Sequence, residues 1–305
     1  MNKITRRRLP VGIQSFTKIR EGGYAYVDKT DIVWQIVNQG DQYNYLSRPR
    51  RFGKSILVDT LQCYLEGRKE LFEGLKIMQQ EKEWIKYPVI RLDMSGAGTT
   101  AQQLTSFFED SFEEYEKKYG IITPPKSLSK RFKNIIMTAR EQSGQKVAVL
   151  VDEYDSPLQH SWQTPQHEEC TEVYRTVFAV LKEADEYEKF VFITGITKFT
   201  QISLFSVLNN LTNQSFNPQW ATVCGITEAE IKENFMPELE GMAHDNGWTL
   251  PETHNKLKNY YDGYHFSKGN MTDIYNPFSL IKALSSGNIQ NFWASSGATT
   301  LLPKF

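Results

Sequence analysis

The chain reads as an α/β protein built on a mostly parallel sheet, and three observations carry that reading. The run 146-KVAVLVDEYD-155 is nearly unbroken in apolar character and stops at carboxylates, and 189-KFVFITG-195 is a second such run. Strands without polar alternation are buried on both faces, as in a parallel sheet covered by helices on both sides. Strand-like and helix-like stretches also alternate along the first part of the chain, the pattern of crossover units rather than hairpins. Finally, 43-YNYLS-47 leads through a short loop into the amphipathic stretch 55-SILVDTLQCYLEG-67, a strand, loop, helix unit.

In chain order, 24-YAYVD-28 alternates enough to predict a short strand, and 31-DIVWQIVNQG-40 has helical spacing with Gly40 as its C-cap. The strand at 43–47 follows. The helix after the loop gathers Ile56, Leu57, Leu61, Tyr64 and Leu65 on one face and ends at Gly67. A second strand is expected in 88-PVIRLDMS-95, then an amphipathic helix over 101–118. Two prolines in 123-TPPKS-127 force a turn, and a further helix runs to about Arg140. The two buried strands come next, joined by a helix near 168–185. From 225-GITEAEI-231 the composition shifts; Thr227 followed by Glu230 spells a capping box, and the remainder reads as mainly helical. The expected organisation is one α/β domain over 1–224, with an N-terminal extension, and a smaller helical, lid-like domain over 225–305.

Composition limits what the molecule can do. A chain of 305 residues with 40% hydrophobic content can bury a real core. The formal net charge of −1 provides no bulk field toward nucleic acid or an anionic membrane, so any such contact must come from local patches. Two patches exist: Arg6, Arg7 and Arg8 near the start, expected to be a solvated terminus, and Arg48, Arg50 and Arg51 in the loop. Cys63, Cys170 and Cys224 form no C-x-x-C pair, which fits a reducing compartment, and the five histidines show no metal-ligand spacing. No run approaches the roughly 20 apolar residues of a membrane helix and no apolar leader is present, so a cytoplasmic protein that does not enter the membrane is expected.

The chemistry concentrates at strand ends. The string 48-RPRRFGKS-55 closes like a phosphate-binding loop, in which successive backbone N–H groups and a helix N-terminus converge on an anion. Gly53 lets the backbone come close, Lys54 would reach β- and γ-phosphates, and the Ser55 hydroxyl would ligate magnesium. Arg48 stands where the first glycine of such a loop belongs, and Pro49 can fix the turn instead. The expected nucleotide-binding set is Arg48, Pro49, Arg50, Arg51, Phe52, Gly53, Lys54, Ser55 and Ile56. At the end of the 147–152 strand, Asp152 fits a magnesium ligand and Glu153 a residue that polarises water; the same pair can also simply cap a strand end. After the next strand, in 194-TGITKF-199, Thr194 or Lys198 can sense a γ-phosphate, the alternative being an ordinary turn. Arg50 and Arg51 can lie on phosphates, act as arginine fingers, bind a neighbouring subunit or remain surface charges. The aromatic cluster 260-YYDGYHF-266 can stack on bases, but packing suits it better.

Taken in order, RPRRFGKS (48–55), VDEYDSP (151–157), TGITKF with SLFSVLNNLTN (203–213), CGITEAEI (224–231), YDGYHF (261–266) and YNPFSL (275–280) resemble the predicted AAA-ATPase-like proteins of gut Bacteroidetes, as do LPVGIQSF (9–16) and YVDKT (26–30). The resemblance implies an AAA-like P-loop NTPase fold of three layers, with ATP and Mg²⁺ as ligands. It also implies an arginine-proline start to the loop as a family trait. It assigns Gly53, Lys54 and Ser55 to the phosphates and Asp152 with Glu153 to the metal and the attacking water. Many members continue into a domain resembling the PD-(D/E)XK nucleases; none of these 305 residues supplies such a site, so nuclease activity is not expected of this chain. ATP hydrolysis is the expected reaction. The alternatives are a nucleotide-binding switch with little turnover and a nucleic-acid-associated module using the arginine clusters. A homo-oligomer would follow if a neighbouring chain supplied an arginine.

Overall fold

The computed structural model describes residues 7–196 and 210–292. Five strands, β1 (Tyr43–Ser47), β2 (Val89–Asp93), β3 (Val147–Asp152), β4 (Glu188–Gly195) and β5 (Thr212–Asn213), form one sheet in the order β2-β3-β4-β1-β5. Every pairing in it is parallel. The unbroken apolar runs are explained by what lies on each side. Along β3, Val147, Val149 and Val151 enter one core cluster while Ala148 and Leu150 enter another; along β4, Val191 and Ile193 oppose Phe190 and Phe192 in the same way. Alternate residues of a strand face opposite ways, so both sets must be apolar when both faces are covered.

The first face carries α5 (Ala101–Lys118), α6 (Leu128–Ser143) and α8 (His167–Glu183); the second carries α2 (Thr30–Asn38) and α3 (Lys54–Leu65), with Phe16 of α1 (Phe16–Glu21). Helix α5 starts at a capping box between Thr100 and Gln103 and buries Leu104, Phe108 and Phe112 at successive turns. Each such side chain contributes about 1.5–3 kcal/mol on full burial. Helix α6 turns Phe132, Ile135, Ile136 and Ala139 inward and stops at Gly144, whose φ of 69° favours glycine. The short helices α4 (Ile77–Gln80) and α7 (Ser156–Ser161) complete this part.

Beyond the sheet, α9 (Glu228–Asn234), α10 (Met236–Asn246), α11 (Leu250–Tyr261) and α12 (Pro277–Ser286) share a third apolar cluster, which also takes in Ala25 and Ile226. The capping box read at Thr227 and Glu230 is formed: Thr227 N–H donates to Glu230 Oε2 at 2.8 Å, and Glu230 N–H to Thr227 Oγ1 at 3.3 Å. No helix among the described residues is long and apolar enough to cross a membrane.

Several local expectations are corrected. Residues 24–28 are not a strand: Ala25 N–H donates to Arg8 O at 2.9 Å, and among the described residues no neighbouring strand extends that single contact into a ladder. Helix α2 stops at Asn38, because the N–H groups of Gln39 and Gly40 both turn back to Gln35 O. The antiparallel pair of β6 (Ile226–Thr227) and β7 (Ile274–Tyr275) lies inside the stretch read as helical. The N-terminal arginines are not merely solvated: Arg7 binds the buried carboxylate of Glu238 through its backbone and guanidinium, and Arg8 lies 4.6 Å from the Tyr24 ring centroid. Arg6 lies outside the described residues.

Candidate functional site

The sheet topology decides where a site can form. Strand β4 lies between β1 and β3, with Ser47 in register with Gly195 and Val151 with Ile193. The loop leaving β1 and the carboxylates ending β3 therefore flank the end of β4 at the carboxyl edge of a parallel sheet, where ligands of such sheets bind. A cavity of about 1000 Å³ opens there. Its walls bring together Pro49, Arg50, Arg51, Phe52, Gly53, Lys54, Ser55 and Ile56 from the loop and Glu153 from the far side of β4.

Two left-handed residues shape the loop: Arg51 at φ 66° and Gly53 at φ 87°. Gly53 is also the N-cap of α3, so the free N–H groups of that helix's first turn follow it directly. The Lys54 side chain is buried and folds back, its ammonium donating to Arg48 O at 3.0 Å and Pro49 O at 3.2 Å. Burial lowers its pKa, opposed by Cys224, Glu153 and the neighbouring aspartates. Ser55 is half-buried on the cavity wall.

Arg48 has a different placement from the rest of the set. It is 1% exposed and does not line the cavity; its guanidinium donates to Ser47 O at 2.9 Å, Ser215 O at 2.8 Å and Trp220 O at 2.9 Å. It also lies 4.2 Å from the Phe266 ring centroid, and burial lowers its pKa. In place of a glycine's freedom, the turn out of β1 is held by a buried cation tied to three carbonyls. Arg51 is exposed and sits 4.0 Å from the Phe278 ring centroid on α12. Arg50 is exposed on the cavity wall.

On the opposite side, Asp152 and Thr194 are buried and bonded to each other: the Thr194 hydroxyl donates to Asp152 Oδ1, which also accepts Glu153 N–H at 3.1 Å. Glu153 follows at φ 50°, a conformation that costs a non-glycine residue energy and that clusters at functional sites. Its carboxyl is raised by burial and by Asp152, against the lowering effect of Lys54 and Arg50. Lys198 lies outside the described residues, as do 203–209 of the following stretch.

Other walls were not expected from the loop motifs. Ser156, Gln159 and His160 of α7 stand beside Glu153, and Ser95 follows β2. The His160 ring Nδ1 lies 2.7 Å from Ser156 O, which leaves Nε2 as its second polar atom. The remaining wall runs through Ala25, Val27, Phe278 and Ile281 and is mostly apolar. Buried Lys29 forms an ion pair with Glu230 at 2.5 Å, linking the start of α2 to α9. A signal for this half was present in the strings 9–16 and 26–30, which no loop motif explains. The 260–266 aromatics pack: Phe52 has Tyr264 at 4.6 Å and Phe266 at 5.4 Å. No group of three or more His, Cys, Asp or Glu side chains among the described residues is arranged to hold a metal ion by itself.

Two comparisons with known proteins bear on this geometry. A family model described as "Predicted AAA-ATPase" matches residues 10–205, a span that includes the loop, Asp152, Glu153 and Thr194. A protein of Azotobacter chroococcum mcd 1, described as "Uncharacterized protein in vnfD 5'region", is 35% identical over 302 residues, 98% of this chain and 56% of that protein. The chain thus spans about half the length of this relative.

Proposed function

The chain belongs to the predicted AAA-ATPase family, and from that premise we propose that it binds ATP on the 48–55 loop and hydrolyses it with Mg²⁺. The observation that supports this most is the meeting of that loop and Glu153 in one cavity of about 1000 Å³, a size suited to a nucleotide. The triphosphate lies over the N-terminus of α3, where free N–H groups and the helix dipole favour anions. Lys54 turns its ammonium from the loop carbonyls to the β- and γ-phosphates. The apolar wall of Ala25, Val27, Phe278 and Ile281 receives the base.

The oxygens of Ser55 and Asp152 are the hard donors that Mg²⁺ prefers, so the residues present fit that ion. Bound there, it would neutralise charge on the phosphate oxygens during transfer. Thr194 fixes the Asp152 carboxylate by donating to Oδ1. Glu153, a carboxyl raised by burial, orients the attacking water and accepts its proton, a role served best by a group whose pKa approaches the working pH. The reaction is placed in the cytoplasm, in keeping with three buried cysteines without a disulfide.

A second reading, a nucleotide switch of slow turnover, draws support from contacts between the loop and the residues beyond 224: Arg51 on Phe278, and Gly225 N–H donating to Phe52 O at 3.1 Å. Titration with a labelled ATP analogue and magnesium, paired with phosphate release, separates the two. Parent protein that binds and releases phosphate, Lys54→Ala that loses binding, and Glu153→Gln that binds but is slowed about 10²-fold or more are the results expected for an ATPase. Binding without release supports the switch; no binding in the parent refutes both.

A further inference from the structure

The three loop arginines go three ways. Arg48 is buried and tied to carbonyls, and Arg51, on the cavity wall, rests its guanidinium on the Phe278 ring. Arg50, between them, lines the same cavity as Glu153, and among the described residues its guanidinium makes no hydrogen bond or ion pair. Glu153 lines that cavity too, and the positive charges of Lys54 and Arg50 both oppose the rise in its carboxyl pKa. A guanidinium presents five N–H donors in a planar fork that matches phosphate oxygens, and a partner-free one on a cavity wall has all of them to offer.

Resting on the hydrolysis reading above, we propose that Arg50 acts in cis as the arginine of phosphoryl transfer, so that the site is complete within one chain. In the reaction, the water oxygen forms a bond to the γ-phosphorus while the bond from that phosphorus to the bridging oxygen breaks. The electron pair of the broken bond stays on the ADP oxygen, and the water proton passes to Glu153. Negative charge grows on the bridging and equatorial oxygens as this happens, and Arg50 donates N–H groups to them from its place on the cavity wall. Arg51, parked on α12, and Arg48, fixed behind the loop, cannot do so without giving up contacts they already make.

The test uses the whole chain and ATP with magnesium. Arg50→Ala should lower kcat about 10³-fold, the scale of arginine fingers, while the Kd for a non-hydrolysable analogue moves less than about tenfold. Arg50→Lys should recover only a small part, because it restores the charge without the fork. Mixing Arg50→Ala with Glu153→Gln discriminates cis from trans: an arginine lent by a neighbour would let mixed assemblies regain activity, and a cis arginine regains none. Restored activity on mixing, specific activity that rises with protein concentration, or an unchanged kcat in Arg50→Ala overturns the proposal. Phosphate release by the parent, with Arg50→Ala unaffected, removes Arg50 and leaves the ATPase standing. A parent no better than Lys54→Ala removes the ATPase reading and Arg50 with it.

Discussion

Replacing Arg48 with glycine would give the loop the residue that phosphate-binding loops carry at this position, and the structure predicts that the change damages the protein. In Arg48→Gly, the carbonyls of Ser47, Ser215 and Trp220 lose their donor and Phe266 loses its cation. A buried acceptor left without a partner costs about 1–3 kcal/mol, and a desolvated cation–π contact contributes about 2 kcal/mol. Against this stand the desolvation penalty of a buried guanidinium, which the variant no longer carries, and water entering the vacated space. Glycine also widens the unfolded ensemble by about 0.5–1 kcal/mol. The net expectation is a loss of about 3–5 kcal/mol, or a fall in melting temperature of about 5–8 °C for a chain of this size. Thermal unfolding followed by intrinsic fluorescence measures it, with Arg48→Lys as a companion that keeps the charge but reaches fewer carbonyls. A melting temperature in Arg48→Gly equal to or above that of the parent would refute the argument that this cation holds the turn.

Other perturbations give equally definite expectations. At the opposite end of the sheet, the Tyr43 hydroxyl lies 2.7 Å from Glu188 Oε2, 2.9 Å from Asp185 Oδ1 and 2.9 Å from Leu181 O, and its one proton cannot serve all three. Burial, with Asp185 adding, raises the Glu188 carboxyl to about 8, so the folded state keeps a proton that the unfolded state releases above about 4.5. Stability should therefore fall as pH rises from about 4.5 to about 8, by at most about 5 kcal/mol, and then level off. Glu188→Gln should flatten that slope in denaturant titrations across the range; an identical slope in both proteins would discard the assignment. Gly195→Ala should cost stability and disturb nucleotide binding, because a Cβ there would meet Tyr154 Cε1 at 2.6 Å and Asp155 Oδ1 at 2.9 Å; an unchanged melting temperature would show that β4 can shift to admit it. Phe278→Leu removes the ring under Arg51 and should alter analogue affinity while changing melting temperature by only about 2–4 °C; unaltered affinity would mean that α12 does not report on the loop.

Much of the architecture was legible because long elements announce themselves. The run in β3 could only be a strand covered on both faces, and α5, α6 and α8 carry apolar residues at helical spacing over four turns or more. The positions of the 48–55 loop after β1 and of Asp152 and Glu153 at the end of β3 were legible too, since glycine, lysine, serine and paired carboxylates at strand ends are local signals. Short elements were not. Strands β5, β6 and β7 have two residues each, too few for any period to show. Residues 24–28 misled because alternation records which side chains are covered, and Ala25 is covered by the helices beyond 225 rather than by a neighbouring strand. The side chain of Arg48 was the deepest miss: its carbonyl partners at Ser215 and Trp220 lie about 170 positions away in sequence, beyond the reach of any motif.

The fold-back of Lys54 gives the loop an occupant of its own. Its ammonium already rests on two carbonyl oxygens, so under the proposed function an arriving phosphate would enter by exchange rather than by addition. Only the surplus over those two contacts appears as affinity. A small inorganic anion offers one oxygen cluster and gains little by the trade, whereas a chain of phosphates reaches the helix terminus and the ammonium together. On the proposed reading, the two contacts would act as a threshold that favours ligands long enough to satisfy the helix terminus and the ammonium at once.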